Sequence, residues 1–250
     1  MQLVFDILSW GAWSVDFQDK ESWLNWDNSV TASSDNKASP ALAHVPAMQR
    51  RRFSRLTKMM LTAAHDCQPA SSCRSVFASR HGELTRTLGL LQDIVSKEAL
   101  SPLAFSQSVH NTASGIYGMV SGNTAASTSI AAGEETLSQA VIETYAQLVD
   151  NPEPVLLVFG DDPVPPVYNQ YTQEFELPLA LGLYLAPENN GHQSAIAQLT
   201  LTSCSDAMAT TKAALSFAEL INAIACQKSL SGQLCHWHWQ LTQPLEPDLR

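Results

Sequence analysis

The sequence predicts an α/β fold in which one mixed sheet carries helices on both of its faces. Apolar residues make up 45% of the 250 residues and charged residues only 15%, so the chain is able to build a sizeable core. Segments with apolar residues spaced by three and four alternate with β-rich runs, which is typical of strands connected by helices. The run VLLVFGDD after Pro154 is apolar until its acidic end, as expected for a strand covered on both faces.

Each element follows from a local pattern. β-branched and aromatic residues indicate strands, a one-sided apolar stripe indicates a helix, and a Ser-Pro pair indicates a helix start. In chain order the predicted elements are a strand at Leu3–Val15, a helix at Gln49–Cys67, a strand at Ser75–Ser79, a helix after Gly82, a helix start at Ser101–Pro102, a strand at Ser127–Ala132, a helix from about Glu134, a strand at Val155–Gly160, strands at Leu177–Ala186 and Ser194–Thr202, a helix at Ala209–Gln227 and a strand at Cys235–Leu241.

Two regions between these elements carry further expectations. The stretch 16–47 is rich in Trp, Ser and Asn and has no period, so it is expected to be irregular, with Trp23 and Trp26 anchored on the body. The two strands on either side of the turn ENNG are expected to pair with each other as a hairpin.

The charge and cysteine content limit the location and the partners. The net charge of -10 argues against nucleic acid or an anionic membrane as a main ligand, and no run approaches eighteen apolar residues, so no membrane span is expected. The opening segment contains Asp6 and lacks a basic region, which favours a strand over a signal peptide. Five cysteines without a CxxC pair are expected to be reduced thiols in the cytoplasm. With so little charge, part of the surface is expected to be covered by a partner subunit.

A basic run is the first candidate for binding. Arg50, Arg51 and Arg52, followed by Arg55 and Lys58, supply five of the fourteen positive residues. These arginines are candidates for docking an acidic partner such as an acyl carrier protein, and the alternative interpretation is a solvated helix face with structural arginines.

The histidines and cysteines give no cofactor or metal prediction. Cys235, His236 and His238 are of metal-ligand type, but no second ligand cluster has a matching spacing, so no metal is expected. His110 is interpreted as a hydrogen-bonded structural residue. The motifs GxSxG, HExxH and Walker A do not occur, and two aspartates follow Gly160, which would repel a phosphate.

Residues 101–160 resemble the nucleophile region of β-ketoacyl synthases of the thiolase fold. In SPLAFSQSVHNTASGIYG, a Ser-Pro helix start is followed by Asn111 and Gly115, and a small-residue strand, a helix and the strand VLLVFG then come in the family's order. The Arg-Arg segment at Arg50 is similar as well. SVHN and AGEET resemble the branch of the family that is treated as a chain-length factor in aryl polyene gene clusters. The resemblance implies a thiolase-like half, a single truncated ketoacyl synthase-like domain over residues 1–250.

Two departures from the family affect the expected activity. The nucleophilic cysteine is replaced by Glu134 in an ungapped count from Asn111, or by Ile130 if Gly133 matches the family's glycine. The chemistry needs a thiolate at a helix N-terminus, and neither residue supplies one. The synthases are also longer, and the histidines and lysine of their second half are absent; His236 and His238 lack the expected flanking residues.

The resemblance therefore implies a non-catalytic partner of an active β-ketoacyl synthase, a heterodimer subunit that shapes the acyl tunnel and works with an acyl carrier protein. Two alternatives stay open: an independent enzyme that uses Glu134 for malonyl decarboxylation, and an acyl-binding module. The resemblance also implies that His110 to Thr128 contacts the synthase, because in the family this segment lies against the dimer partner. Its small residues permit close approach, and the alternative is that they only let this helix and strand pack within their own sheet layer. The interface and tunnel candidates are Val109, His110, Asn111, Ile116, Tyr117 and Met119.

Overall fold

A long strand, β1, runs through the middle of the sheet and determines its layout. The computed structural model describes residues 1–27, 37–172, 178–188, 195–203 and 214–243. Within these residues the strands are β1 Gln2–Ser14, β2 Arg74–Ala78, β3 Ser127–Ile130, β4 Val155–Asp161, β5 Leu179–Pro187, β6 Ala197–Ser203, β7 Leu230–Leu234 and β8 Trp237–Thr242. They form one eight-stranded sheet in the order β3-β2-β4-β5-β1-β6-β8-β7.

The sheet is mixed, as the sequence predicts. β2 is parallel to both β3 and β4, whereas the other neighbouring pairs are antiparallel. The expected hairpin of β5 and β6 is wrong, because β1 lies between them. Residues 5–14 of β1 pair with β5, and residues 2–7 pair with β6 on the other side. A thirteen-residue strand is long enough to serve both partners, and local sequence does not report such non-local pairing.

The helices follow the predicted order, and at two of them a capping serine fixes a later start than the sequence pattern suggests. They are α1 Ala47–Arg50, α2 Arg55–Asp66, α3 Leu84–Ser96, α4 Pro102–Ser106, α5 Thr112–Ser121, α6 Thr136–Asp150 and α7 Phe217–Ala225.

Two helix starts correct the predictions. The helix expected from Gln49 begins at Arg55, where the Ser54 hydroxyl accepts a hydrogen bond from the Thr57 backbone N–H at 3.0 Å. The last helix begins after Ser216, which forms a capping box with Glu219; residues 209–213 of that prediction lie outside the described residues.

Two apolar clusters confirm that helices cover both faces. On one face, α6 and α7 pack on the sheet, and Ala140 and Val141 of α6 are fully buried. Trp23 is buried there too, and its carbonyl accepts from the side chain of Asn222 in α7 at 2.8 Å, while Trp26 is half-buried against the same cluster. The two tryptophans are therefore anchored as predicted. On the other face, α2 and α5 pack against the sheet.

One hairpin was missing from the sequence prediction. β7 and β8 pair directly across the two residues Cys235 and His236, whose φ angles are 47° and 56°. Positive values at both positions match the tight turn that twisted hairpins prefer, which asparagine and glycine usually supply. Without those residues the turn carried no signal, and the predicted strand began two residues too early.

The close approach of α2 to the sheet depends on two glycines of paired strands. Gly11 of β1 lies opposite Gly182 of β5. A Cβ atom on Gly182 would lie 2.6 Å from the carbonyl oxygen of Ala63 in α2, and one on Gly11 would lie 2.6 Å from the Cβ atom of Asp66. These distances are shorter than van der Waals contact, so only glycine lets the helix rest on these strands.

Gly11→Ala is therefore expected to lower the free energy of unfolding by about 1–3 kcal/mol, because α2 must move away from β1. Gly89→Ala is the matched control, since Gly89 lies inside α3 and a Cβ atom there would meet nothing within 4 Å. This control should stabilise the chain by about 0.5–1 kcal/mol. Urea denaturation of both variants measures the difference, and equal midpoints would contradict the packing account.

Candidate functional site

The carboxyl ends of the parallel strands β2, β3 and β4 meet at one edge of the sheet, and α6 begins there. Ile130 is the last residue of β3 and is half-buried against the core beneath α6. Glu134 lies in the turn Gly133–Glu135 that precedes α6, and it is exposed to solvent. Neither candidate for the nucleophile position is enclosed. Glu134 therefore lies at the surface, and its use as a general base stays a prediction.

Other side chains organise the start of α6. The Thr136 hydroxyl accepts a hydrogen bond from the Ala132 N–H at 3.0 Å and donates to the Gly133 carbonyl at 2.6 Å. Glu135 pairs with His236 from the turn between β7 and β8, and this hydrogen bond raises the pKa of His236. The same turn is held by Ser138, whose hydroxyl donates to the Cys235 carbonyl at 3.1 Å.

Asp161, at the end of β4, ties this edge of the sheet together. It is 3% exposed, and its Oδ1 accepts from the Ser79 hydroxyl at 2.8 Å, the Arg80 N–H at 2.9 Å and the His81 N–H at 3.3 Å. A buried carboxylate is tolerated when donors surround it, so Asp161 fixes the turn after β2. Sequence analysis missed this role, although an acidic residue directly after a buried strand was its visible signal.

Glu83 forms a second buried acidic centre beside the first. Its Oε1 accepts from the hydroxyls of Ser54 at 2.6 Å and Thr57 at 2.7 Å, and Arg86 lies 3.6 Å from its other oxygen. These contacts connect the start of α3 to the start of α2.

Asp162 forms a third acidic centre at this edge of the sheet. Burial raises the pKa of its carboxyl group, and the hydrogen bonds from Arg55, at 2.9 and 3.2 Å from Nε to the two oxygens, oppose the rise. Arg55 is thereby committed to a structural ion pair.

The residues of the basic run do not share one helix face. They are distributed over the end of α1, the turn that follows it and α2. Arg50 ends α1, and its Nη1 donates to the Leu42 carbonyl at 3.2 Å. Arg51 and Arg52 are exposed in the turn between α1 and α2, and Arg86 donates to the Arg52 carbonyl at 3.1 Å. Arg51 and Arg52 are therefore the members of the run that are accessible to a partner.

The interface candidates fall into two groups. Val109, Asn111 and Met119 are exposed, whereas Ile116 and Tyr117 are buried in the core beneath α5. The side chains of these last two residues are therefore not available for surface contact. The sequence stripe could not separate the two groups because both lie on or next to one short helix.

His110 has the structural role that its sequence context suggests. Its Nε2 lies 2.7 Å from the Ser79 carbonyl oxygen, and a Cβ atom on Gly82 would come within 3.1 Å of its ring. The histidine therefore positions the turn after β2 against the start of α5.

The cysteine and histidines near the chain's end do not form a ligand set. His236 pairs with Glu135, and His238 Nε2 lies 3.2 Å from the Ser231 hydroxyl. Among the described residues, no group of three histidine, cysteine, aspartate or glutamate side chains is arranged to hold a metal ion. Every helix of the described segments is too short or too polar to reach across a lipid bilayer.

The comparisons with known proteins agree on one family. The sequence model of the family described as "Beta-ketoacyl synthase, N-terminal domain" matches residues 23–240. A chain of the complex "Ketosynthase (ApeO) in Complex with its Chain Length Factor (ApeC) from Xenorhabdus doucetiae" superimposes with a TM-score of 0.77 and 22% identity, covering 96% of this chain and 100% of that chain. No curated protein matches the sequence.

Two further solved structures are similar. "The ishigamide ketosynthase/chain length factor" gives a TM-score of 0.63 at 12% identity, covering 90% of this chain and 81% of the other. A β-ketoacyl synthase from Burkholderia phymatum STM815 gives 0.57 at 15% identity, covering 91% and 71%. At these identities the structures establish the fold, a thiolase-like ketosynthase half, as the resemblance implies.

Asp161→Ala is expected to lower the free energy of unfolding by about 1–3 kcal/mol, because the Ser79 hydroxyl and two backbone N–H groups lose their buried acceptor. Glu134→Ala removes an exposed carboxylate from the same edge of the sheet and should change the free energy of unfolding by less than about 0.5 kcal/mol. Chemical denaturation at neutral pH compares the two. A Glu134 variant as damaged as the Asp161 variant would show that the roles are assigned wrongly.

Proposed function

The chain belongs to the β-ketoacyl synthase N-terminal domain family, and we propose that it is a non-catalytic, chain-length-factor-like partner of an active ketosynthase. The observation that carries the proposal is the start of α6, where the family's nucleophile position holds exposed Glu134 or half-buried Ile130 instead of a thiol. The chain would contribute shape to a shared acyl tunnel, in biosynthesis of the fatty-acid or aryl polyene type. The segments SVHN and AGEET support that product class.

The two fully buried cysteines offer no substitute for the missing thiol. Cys67 and Cys73 are buried at 1% and 2% exposure. Burial raises the pKa of Cys73 to about 11 and that of Cys67 further, so neither forms the thiolate that acyl transfer needs at neutral pH. Cys226 and Cys235 are half-buried, and Cys235 lies in the turn between β7 and β8 that Ser138 holds beside the start of α6.

The outer side of β3, the terminal strand of the sheet, supports a location for the ketosynthase partner. β3 is the terminal strand on one side, and no described residue pairs with its outer edge. At the opposite edge, β7 is partly covered, because Leu215 donates to the Gln233 carbonyl at 2.8 Å. An uncovered strand edge is a ready template for another chain. We therefore infer that the ketosynthase lies against β3.

A surface of exposed apolar side chains adds contact area. The apolar residues on one side of α3 are largely exposed, and Leu90 is the only buried residue of this helix. Their spacing along the sequence therefore did not indicate a face packed into the core. We propose that the exposed apolar residues on α3, α4 and α5 and between them contribute to one contact surface, named the α3–α5 apolar surface; they are Leu91, Ile94, Val95, Leu103, Phe105, Val109 and Met119. Exposed apolar groups in such number are typical of protein interfaces.

The turn between α1 and α2 is the proposed docking point for the carrier protein. Arg51 and Arg52 are exposed there in a chain whose net charge is -10. A local positive patch on an acidic protein attracts an acidic partner, whereas the negative charge on the rest of the surface repels that partner.

Met119→Asp tests the interface. Met119 is 76% exposed on α5, so an aspartate there is expected to leave the fold intact and weaken binding to the partner ketosynthase at least tenfold, about 1.4 kcal/mol. Val149→Asp is the control, because Val149 is 70% exposed on α6. Gly118 is a poorer position, since a Cβ atom there would lie 3.1 Å from the Asn123 carbonyl.

Binding is measured by titration calorimetry with a β-ketoacyl synthase from the same organism, after circular dichroism has verified each fold. If Met119→Asp binds as well as Val149→Asp does, the apolar surface is not the interface. If neither variant nor the wild type binds any ketosynthase, the function itself is refuted.

Replacing Arg51 and Arg52 by glutamate is expected to weaken association of the carrier protein with the complex and to flatten its salt dependence, because two attractive charges become repulsive. The double variant Lys37→Glu with Lys228→Glu changes the net charge equally at exposed sites elsewhere. Surface plasmon resonance at two salt concentrations compares them. Equal losses in the two double variants would mean that only net charge matters.

A further inference from the structure

Two histidines face each other at the amino ends of β2 and β3, far in the chain from the start of α6. His44 lies in the segment 37–46, and His65 lies in the last turn of α2. Their imidazole rings are stacked with centroids 3.7 Å apart and an interplanar angle of 10°. Both rings border a cavity of about 340 Å³ whose other walls include Leu61, Tyr117 and Ser121.

Besides the stack, burial and a hydrogen bond from α1 hold the segment 37–46. Leu42 and Val45 are buried at 4% and 2% exposure, and Arg50 donates to the Leu42 carbonyl. Pro46 then leads directly into α1. The position of this segment therefore sets the position of the turn that carries Arg51 and Arg52.

The surroundings of His44 favour its neutral form. Burial and the neighbouring His65 both lower the pKa of His44, burial being the larger cause. From α1, Arg50 adds a positive charge on the same segment. From α2, Asp66 faces His65, but burial raises the pKa of its carboxyl group, and Lys20 binds its backbone carbonyl at 2.9 Å.

We propose that the His44–His65 stack is a pH-sensitive clamp that holds the segment 37–46 against α2 at neutral pH and releases it in acid. Two imidazolium rings at 3.7 Å repel each other, so protonation of both favours their separation. Separation frees the segment between Leu42 and Pro46 and lets the arginine turn move. The effect on carrier docking rests on the function proposed above, whereas release of the segment does not.

The direction of the pH dependence follows from linkage. Because the folded state lowers the pKa of His44 below its value in the unfolded chain, the clamp's stability is present above about pH 6.5 and is lost as the pH falls through the folded pKa. Both histidines are exposed residues, so solvent screens the repulsion, and the expected change in local opening is no more than about tenfold.

Hydrogen exchange followed by mass spectrometry tests the clamp on the intact chain. After correction for the intrinsic rate, amides of residues 37–46 should exchange about tenfold faster at pH 5.5 than at pH 7.5, while amides of β4 stay unchanged. His44→Phe keeps a flat ring over His65 but removes one charge, so it should abolish the pH dependence. His236→Gln removes an exposed histidine elsewhere and should preserve it.

Wild-type exchange that does not depend on pH overturns the clamp, and so does a pH dependence that survives in His44→Phe. If His44→Phe is unfolded by circular dichroism, His65→Phe gives the same test from the other ring. Carrier binding at the two pH values is a separate arm. Faster exchange without any change in carrier binding retains the clamp and contradicts its link to the arginine turn.

Discussion

The contact of α2 with the backbone of β1 and β5 is the constraint on which the rest of the structure depends. β1 is paired on both edges and covered on both faces, so its neighbours must fit it from four directions. Gly11 and Gly182 remove side chains where α2 approaches, and Ser9 donates a hydrogen bond to the Cys67 carbonyl at the helix end. With α2 fixed in this way, Ser54 at its start holds Glu83 and the beginning of α3 at the edge of the sheet where β2, β3 and β4 reach their carboxyl ends.

That edge is organised for stability, and in the proposed function it does not carry out acyl transfer. Asp161 and Glu83 are buried acceptors for hydroxyl and backbone donors, and Arg55 neutralises Asp162. The start of α6, where a helix dipole could support a thiolate, instead presents Glu134 to solvent. In the described part of the chain, the remaining distinctive surfaces are the outer edge of β3, which pairs with no described strand, and exposed apolar side chains, which suit association with another chain.

Local patterns predicted the elements well where one residue type decides the conformation. The buried strand β4, the helix α6 with Ala140 and Val141 inward, and the Ser101–Pro102 helix start are all present. Long-range relations could not be predicted in the same way. The insertion of β1 between β5 and β6 depends on pairing between distant segments, and the bond from Ser79 to Asp161 joins residues 82 positions apart.

The candidate site shows the same division. The sequence itself shows that neither Ile130 nor Glu134 is a thiol. It does not show which of the interface candidates are exposed, because that depends on burial in the fold. Ile116 and Tyr117 share a helix with Met119, and only the tertiary fold distinguishes the face that packs on β2 from the face that meets solvent. The division of the arginine run likewise depends on Asp162, which lies more than a hundred residues from Arg55.

The central claim is that the chain assists an active ketosynthase without carrying the acyl group itself. Intact-mass spectrometry tests it directly, with an acylated carrier protein incubated with the chain alone, the ketosynthase alone and the two together. The account predicts that this chain's mass never changes, that the acyl group appears on the ketosynthase, and that extended product forms only in the mixture. An acyl adduct on this chain, with turnover in the absence of the ketosynthase, would contradict it.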